Sequence, residues 1–105
     1  MEDALVVMVT CPDRGSAEGL AGALVQEHLV ACGNVLGGVN SFFFWEDEVQ
    51  SEAEFLLVLK TTEDRFEDVK ERVEELHSYD VPEIIALPVA HGNREYLDWI
   101  EETTR

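Results

Sequence analysis

Five side chains could serve as soft or borderline metal ligands or as nucleophiles: Cys11, Cys32, His28, His77 and His91. Their spacing contains no C-x-x-C, H-x-x-H or H-E-x-x-H pair, so no closed zinc site can be read. His77 stands six residues before Glu83 in a stretch that reads as a loop. With Glu83 and a neighbour it could form a weak Cu or Zn site. A solvated loop histidine is the more ordinary reading. Cys11 ends an apolar run where a turn could expose it, which makes it the third candidate ligand beside His77 and Glu83. Cys32 lies inside a strand and reads as a small buried hydrophobe.

Nucleophilic chemistry has less support. Cys11 with a histidine lacks an anchoring third group, and G-x-S-x-G is absent. Ser16 lies near a helix start, where an anion could be held, but a cap is the commoner use of such a serine. No Rossmann fingerprint or P-loop follows a strand. Polar residues do gather near strand ends. Lys60, one of only two lysines, closes the longest strand, Asn34 lies on its partner, and Tyr79, Pro82 and Glu83 precede the last strand. A lone cation among carboxylates and aromatics is a ligand contact or a structural ion pair, and local reasoning favours the ion pair.

The elements that must position these residues alternate without a linker, so residues 1–105 form one domain. Ala4 to Thr10 is a Val-rich apolar run that suits a strand buried on both faces. Pro12 ends it, and Asp13 or Ser16 caps a helix from Ser16 to His28 with Ala17, Leu20, Ala21 and Leu24 on one face. Ala31 to Trp45 reads as a long strand in which Gly33, Gly37 and Gly38 suggest a bulge or bend. Glu46-Asp47-Glu48 is a polar turn. Val49 to Thr61 follows, with Val49, Ser51, Ala53, Phe55, Leu57 and Leu59 on one face and Gln50, Glu52 and Glu54 on the other. The other face turns apolar at Leu56 and Val58, so the strand's first half should be covered on one side and its second half on both. Phe66, Val69, Val73 and Leu76 make a helical stripe, capped by Thr61 or Thr62, with Asp68 and Arg72 paired across one turn. Ile84 to Val89 is a short strand whose Pro88 implies a sheet edge. Asn93 caps a final helix carrying Tyr96, Leu97, Trp99 and Ile100. The order is strand-helix-strand-strand-helix-strand plus a terminal helix, the α+β ferredoxin-like pattern with an antiparallel sheet.

The central hairpin is too long for one domain of this size. A strand of 13 residues extends about 43 Å at ~3.3 Å per residue. A 105-residue domain has a radius of gyration of roughly 13 Å, hence a diameter of about 33 Å. The overshooting part carries Phe42, Phe43, Phe44 and Trp45, and soluble monomers rarely expose such a patch. Burying these rings is worth on the order of 15 kcal/mol before association costs. The sequence therefore predicts an oligomer.

Composition sets the outer bounds. Apolar residues make up 46% and aromatic residues 9%, enough for a packed core. Twenty-three Asp and Glu against seven Lys and Arg give a net charge of −16, which excludes nucleic acid and anionic membrane surfaces as main partners. A solvated surface explains the acidity, and adaptation to high salt, where carboxylate repulsion is screened, is the sharper alternative. No apolar run approaches the ~20 residues of a membrane span, and the acidic Met1-Glu2-Asp3 start shows no signal peptide. Two cysteines without a disulfide framework point to the cytoplasm.

Several stretches resemble the CutA family, the divalent-cation tolerance proteins. Ala31-Cys32-Gly33-Asn34 resembles A-C-x-N, and Ser41 to Trp45 resembles S-x-Y-x-W. Lys60-Thr61-Thr62 follows, then His77-Ser78-Tyr79-Asp80-Val81-Pro82-Glu83-Ile84, similar to H-P-Y-x-V-P-E-I. Gly92 to Trp99 resembles G-N-x-x-Y-L-x-W, and together these motifs span nearly the whole chain. The resemblance implies a ferredoxin-like subunit in a PII-like homotrimer braced by long hairpins. It implies a role in metal-ion response with Cu(II) or another divalent cation, and no catalytic mechanism. It also implies a likeness to PII signalling proteins, hence the alternative of a small effector bound between subunits. Cys32, Asn34, Trp45, Lys60, Tyr79 and Glu83 are then expected around the inter-subunit cleft. Phe43 replaces the motif tyrosine, Asp47 replaces a turn glycine, and Ser78 replaces the proline. Copper proposals for the family involve a first-strand cysteine. Val9 takes that place here, with Cys11 two residues on, which weakens the transfer of a copper ligand.

Overall fold

The Val-rich run becomes β1, Ala4–Cys11, whose alternate side chains Leu5, Val7, Val9 and Cys11 are all buried. The computed structural model describes residues 3–105; Met1 and Glu2, part of the acidic start, lie outside the described residues. Asp13 then caps α1, Arg14–Gln26, by accepting from the Ser16 amide at 2.7 Å. Asp13, not Ser16, is the cap; Ser16 lies within the first turn and supplies only its backbone amide. β2, Cys32–Trp45, and β3, Glu48–Thr62, form the long hairpin. A 3-10 turn at Glu63–Arg65 leads into α2, Phe66–Leu76. β4, Ile84–Pro88, and α3, Arg94–Thr104, complete the chain. Asn93 caps α3 by accepting from the Glu95 and Tyr96 amides.

The sheet is antiparallel in the order β2-β3-β1-β4, the expected ferredoxin-like arrangement, with Pro88 on the edge strand. One face packs Leu5, Val7, Val9, Leu57 and Leu59 against Ala17, Leu20, Ala21 and Leu24 of α1 and Val69 and Val73 of α2. On the opposite face, α3 covers one end through Ile100 on Ala4 and Ala31. The rest of that face is open. Register places Leu87, Val6, Lys60 and Cys32 in one row and Ile85, Met8, Val58 and Asn34 in the next. Leu36, Ile85 and Leu87 are 45–51% exposed there.

The hairpin makes the subunit 45 × 26 × 23 Å, close to the strand length expected and well beyond a compact domain's diameter. The bulge falls at Gly37 and Gly38, while Gly33 pairs in regular register with Leu59. Register shifts between Leu36 and Val39, Gly38 has φ +77°, and a side chain at Gly37 would meet Phe55 at 2.9 Å. Glu46 and Asp47 form the two-residue turn with φ of 50° and 63°. That left-handed pair suits the twist of a hairpin but carries a steric cost where glycine would carry none.

Three local expectations are corrected. Neither Thr61 nor Thr62 caps α2: the 3-10 turn intervenes, and the Thr61 hydroxyl donates instead to the Leu29 carbonyl at 2.7 Å. Asp68 pairs with Arg65, while Arg72 forks onto Glu27 of the α1 C-cap at 2.8–2.9 Å and reaches Glu75. In β3, the half expected to be covered on one side is mostly exposed, with Val49 at 70%, whereas Glu54 on its polar face is buried.

Candidate functional site

β3 carries two polar clusters at different heights. In the first, Cys32 of β2 lies directly opposite Lys60 of β3, and Asn34 lies one row along on the same face. The Lys60 ammonium donates to Asn34 Oδ1 and lies 3.8 Å from Cys32 Sγ. The Cys32 thiol is 3.9 Å from Asn34 Oδ1 and the Tyr96 hydroxyl is 3.9 Å from the same sulfur. Cys32 is half-buried, not a core residue. Burial, with the Cys32 contact second, raises the Tyr96 phenol above its usual range, so it stays protonated. Among the described residues no carboxylate pairs with Lys60, so the expected structural ion pair is not formed.

The second cluster sits where β1 ends. Tyr79, on the loop before β4, donates to Glu54 Oε2 at 2.9 Å and lies against the His77 ring. Burial, followed by the bond to Glu54, pushes the Tyr79 phenol up to about 12. His77 is the C-cap residue of α2 rather than a free loop histidine. Its Nε2–H donates to the Thr10 carbonyl at 2.7 Å and its Nδ1 accepts from the Tyr79 amide at 3.0 Å. Both ring nitrogens are thus used.

The metal-ligand set does not assemble. Cys11 is fully buried, not exposed by its turn, and burial with the nearby charges of Asp13 and Glu54 pushes its thiol up to about 11. A protonated, enclosed thiol is a poor ligand. Glu83 is exposed on the loop. Among the described residues no group of three or more His, Cys, Asp and Glu side chains is placed to hold a metal ion. The residues present do not fit a resident Cu(II) within one chain. Arg14 pairs with Glu18 and stacks over Phe55, both outside the two clusters.

Of the expected cleft residues, Cys32, Asn34 and Lys60 come together. Tyr79's partner Glu54 lies six residues along β3 from Lys60, about 20 Å at strand spacing. Trp45, opposite Glu48 at the hairpin tip, is about 40 Å away. Sequence reasoning missed Tyr96 and Glu54 as members of the two clusters. Tyr96 was visible in the G-N-x-x-Y-L-x-W stretch, and Glu54 was one carboxylate among many with nothing local to single it out.

The fold and the paired polar clusters define a ferredoxin-like α+β subunit with an unfinished sheet face. Residues 5–103 match the family model described as CutA1 divalent ion tolerance protein. The chain is 52% identical over 99 residues to the divalent-cation tolerance protein CutA of Thermus thermophilus, covering 94% of this chain and 96% of that one. It is 45% identical over 101 residues to a chloroplastic CutA 1 of rice, covering 96% of this chain and 57% of that longer protein. The solved Thermus thermophilus CutA1 structure superposes with a TM-score of 0.95 at 50% identity, covering 97% of this chain and 99% of that one. The chain belongs to the CutA1 divalent ion tolerance family. Among the described residues, no helix is long and apolar enough to cross a membrane.

Proposed function

We propose that the chain acts in divalent-cation response as a homotrimer, with the open sheet face and the projecting hairpin buried between copies. One observation carries this reading. Phe42, Phe44, Trp45 and Val49 are 60–74% exposed on a ribbon that leaves its own domain, and the half-exposed Leu36, Ile85 and Leu87 add an apolar patch on the sheet face opposite Phe42, Phe44 and Val49. Such a surface calls for a partner, and the self-complementary partner that a ribbon and an open sheet face imply is a second and third copy. The chain's two tryptophans give the test. In a Trp99→Phe variant, Trp45 emission should be blue-shifted and poorly quenched by acrylamide. Emission typical of water, quenched freely, would reject the assembly.

Cu(II) and other divalent cations enter as the ions the protein responds to. Because His77, Glu83 and Cys11 do not make a site within one chain, Cu(II) titrated into wild type and His77→Ala should give the same isotherm. A saturable site lost in the variant would contradict this. Both free cysteines support a reducing compartment such as the cytoplasm. A second reading, a small effector held between copies, is favoured by Lys60, a cation without a carboxylate partner among the described residues in a chain of net charge −16.

A further inference from the structure

We propose that Lys60, Cys32, Asn34 and Tyr96 form the head-group site for a small aliphatic monocarboxylate. This rests on the trimeric reading, under which the open face is enclosed.

Charge gives the first reason. Arg14, Arg65, Lys70 and Arg72 each pair with a carboxylate within 4.0 Å, and Lys60 does not. In a chain with 23 acidic residues, placing one ammonium among neutral groups sets it apart. Enclosing that ammonium between copies without a counter-charge is costly, so the assembly gains most if a single anion sits on it.

Hydrogen-bonding capacity gives the second. The ammonium, the thiol, the phenol and the Asn34 amide all carry donor protons, which outnumber the acceptors, the Asn34 carbonyl, the Tyr96 phenol oxygen and a weak sulfur. The cluster therefore wants an acceptor. Its phenol stays protonated and able to donate. One cation with neutral donors matches one negative charge; a doubly charged phosphate is better met by an arginine fork. The neighbours specify the rest of the ligand. Lys60 shares its row with Val6 and Leu87 and lies one row from Val58 and Met8, so an aliphatic tail has an apolar floor.

The test titrates sodium butyrate, with butyramide as the neutral control and sodium chloride at matched ionic strength, into the full chain by calorimetry. Sedimentation of each sample gives the assembly state independently. Butyrate should bind saturably and butyramide should not. Lys60→Met should weaken butyrate about tenfold or more, and Tyr96→Phe about threefold. A trimer that binds no butyrate, or binds butyramide equally well, overturns the site and leaves the assembly standing. A butyrate affinity unchanged in Lys60→Met also overturns it. A monomer that binds butyrate with the expected Lys60 dependence keeps the site and removes the assembly.

Discussion

The two ends of β3 belong to one continuous strand but face different solvents. From Glu54 to Thr62 the strand is finished by its own chain. Leu57 and Leu59 are fully enclosed beneath α1 and α2, Thr61 is bonded to the Leu29 carbonyl, and Glu54 is held by Tyr79. From Glu48 to Ala53 the ladder to β2 is equally complete, yet side chains on both faces remain largely in water. Backbone pairing differs on one side only, since β1 also pairs with Phe55 to Thr62 and Glu48 to Glu54 have β2 alone. The greater difference is apolar burial, the larger stabilising term, and the distal half lacks it within one chain.

The largest expected effect comes from breaking the distal half. Changing Phe42 and Phe44 together to Asp should weaken association by about a thousandfold, roughly 4 kcal/mol. The far-UV circular dichroism of the subunit should stay the same. An unchanged particle size would mean that the ribbon is not the contact. Breaking the proximal half should instead unfold the subunit. Leu57→Ala removes an enclosed side chain and should cost about 3 kcal/mol in chemical denaturation. A loss below 1 kcal/mol would mean that the site under α1 can collapse around the gap.

Alkali sharpens the same contrast. Buried Cys11 holds its proton up to about 11 in the folded chain, while an unfolded thiol releases it near ~8.5. This contribution is fully present below the unfolded value. It falls away as pH rises between those limits, because the unfolded state then binds fewer protons. Cys11→Ala should flatten the stability profile over that window. Tyr79, held up to about 12, adds a loss of the same sign at the upper end of the range. A profile identical in wild type and variant would contradict the burial of Cys11. The smallest effect is at a cap: Asn93→Ala should cost about 1 kcal/mol in α3, measured as a lower melting temperature without a change in association.

Much of the fold was legible because local chemistry and global architecture agree. Pro88 marked the edge strand, Gly37 and Gly38 marked the bulge, and Asp13 and Asn93 marked two helix starts. The hairpin's length showed that it would outreach its domain. What stayed hidden depends on long-range placement. Arg72 prefers Glu27, 45 residues away, because helix packing brings a better fork than its neighbour Asp68 offers. His77 is used up by Thr10, 67 residues away, so its metal-ligand spacing meant nothing. Lys60, Cys32 and Asn34 were each named, but their union with Tyr96 needed α3 folded over the sheet end. The expected single cleft spans two heights of β3 and the hairpin tip, which no single copy brings together.

Sedimentation velocity at micromolar concentration tests the central claim most directly. Three copies of an 11.8 kDa chain should travel as one particle of about 35 kDa. The particle should persist on dilution, because the ribbon and the open face are buried together. A folded particle of 11.8 kDa would contradict the account. The exposed rings of β2 would then be tolerated in water, and no crevice between copies would exist.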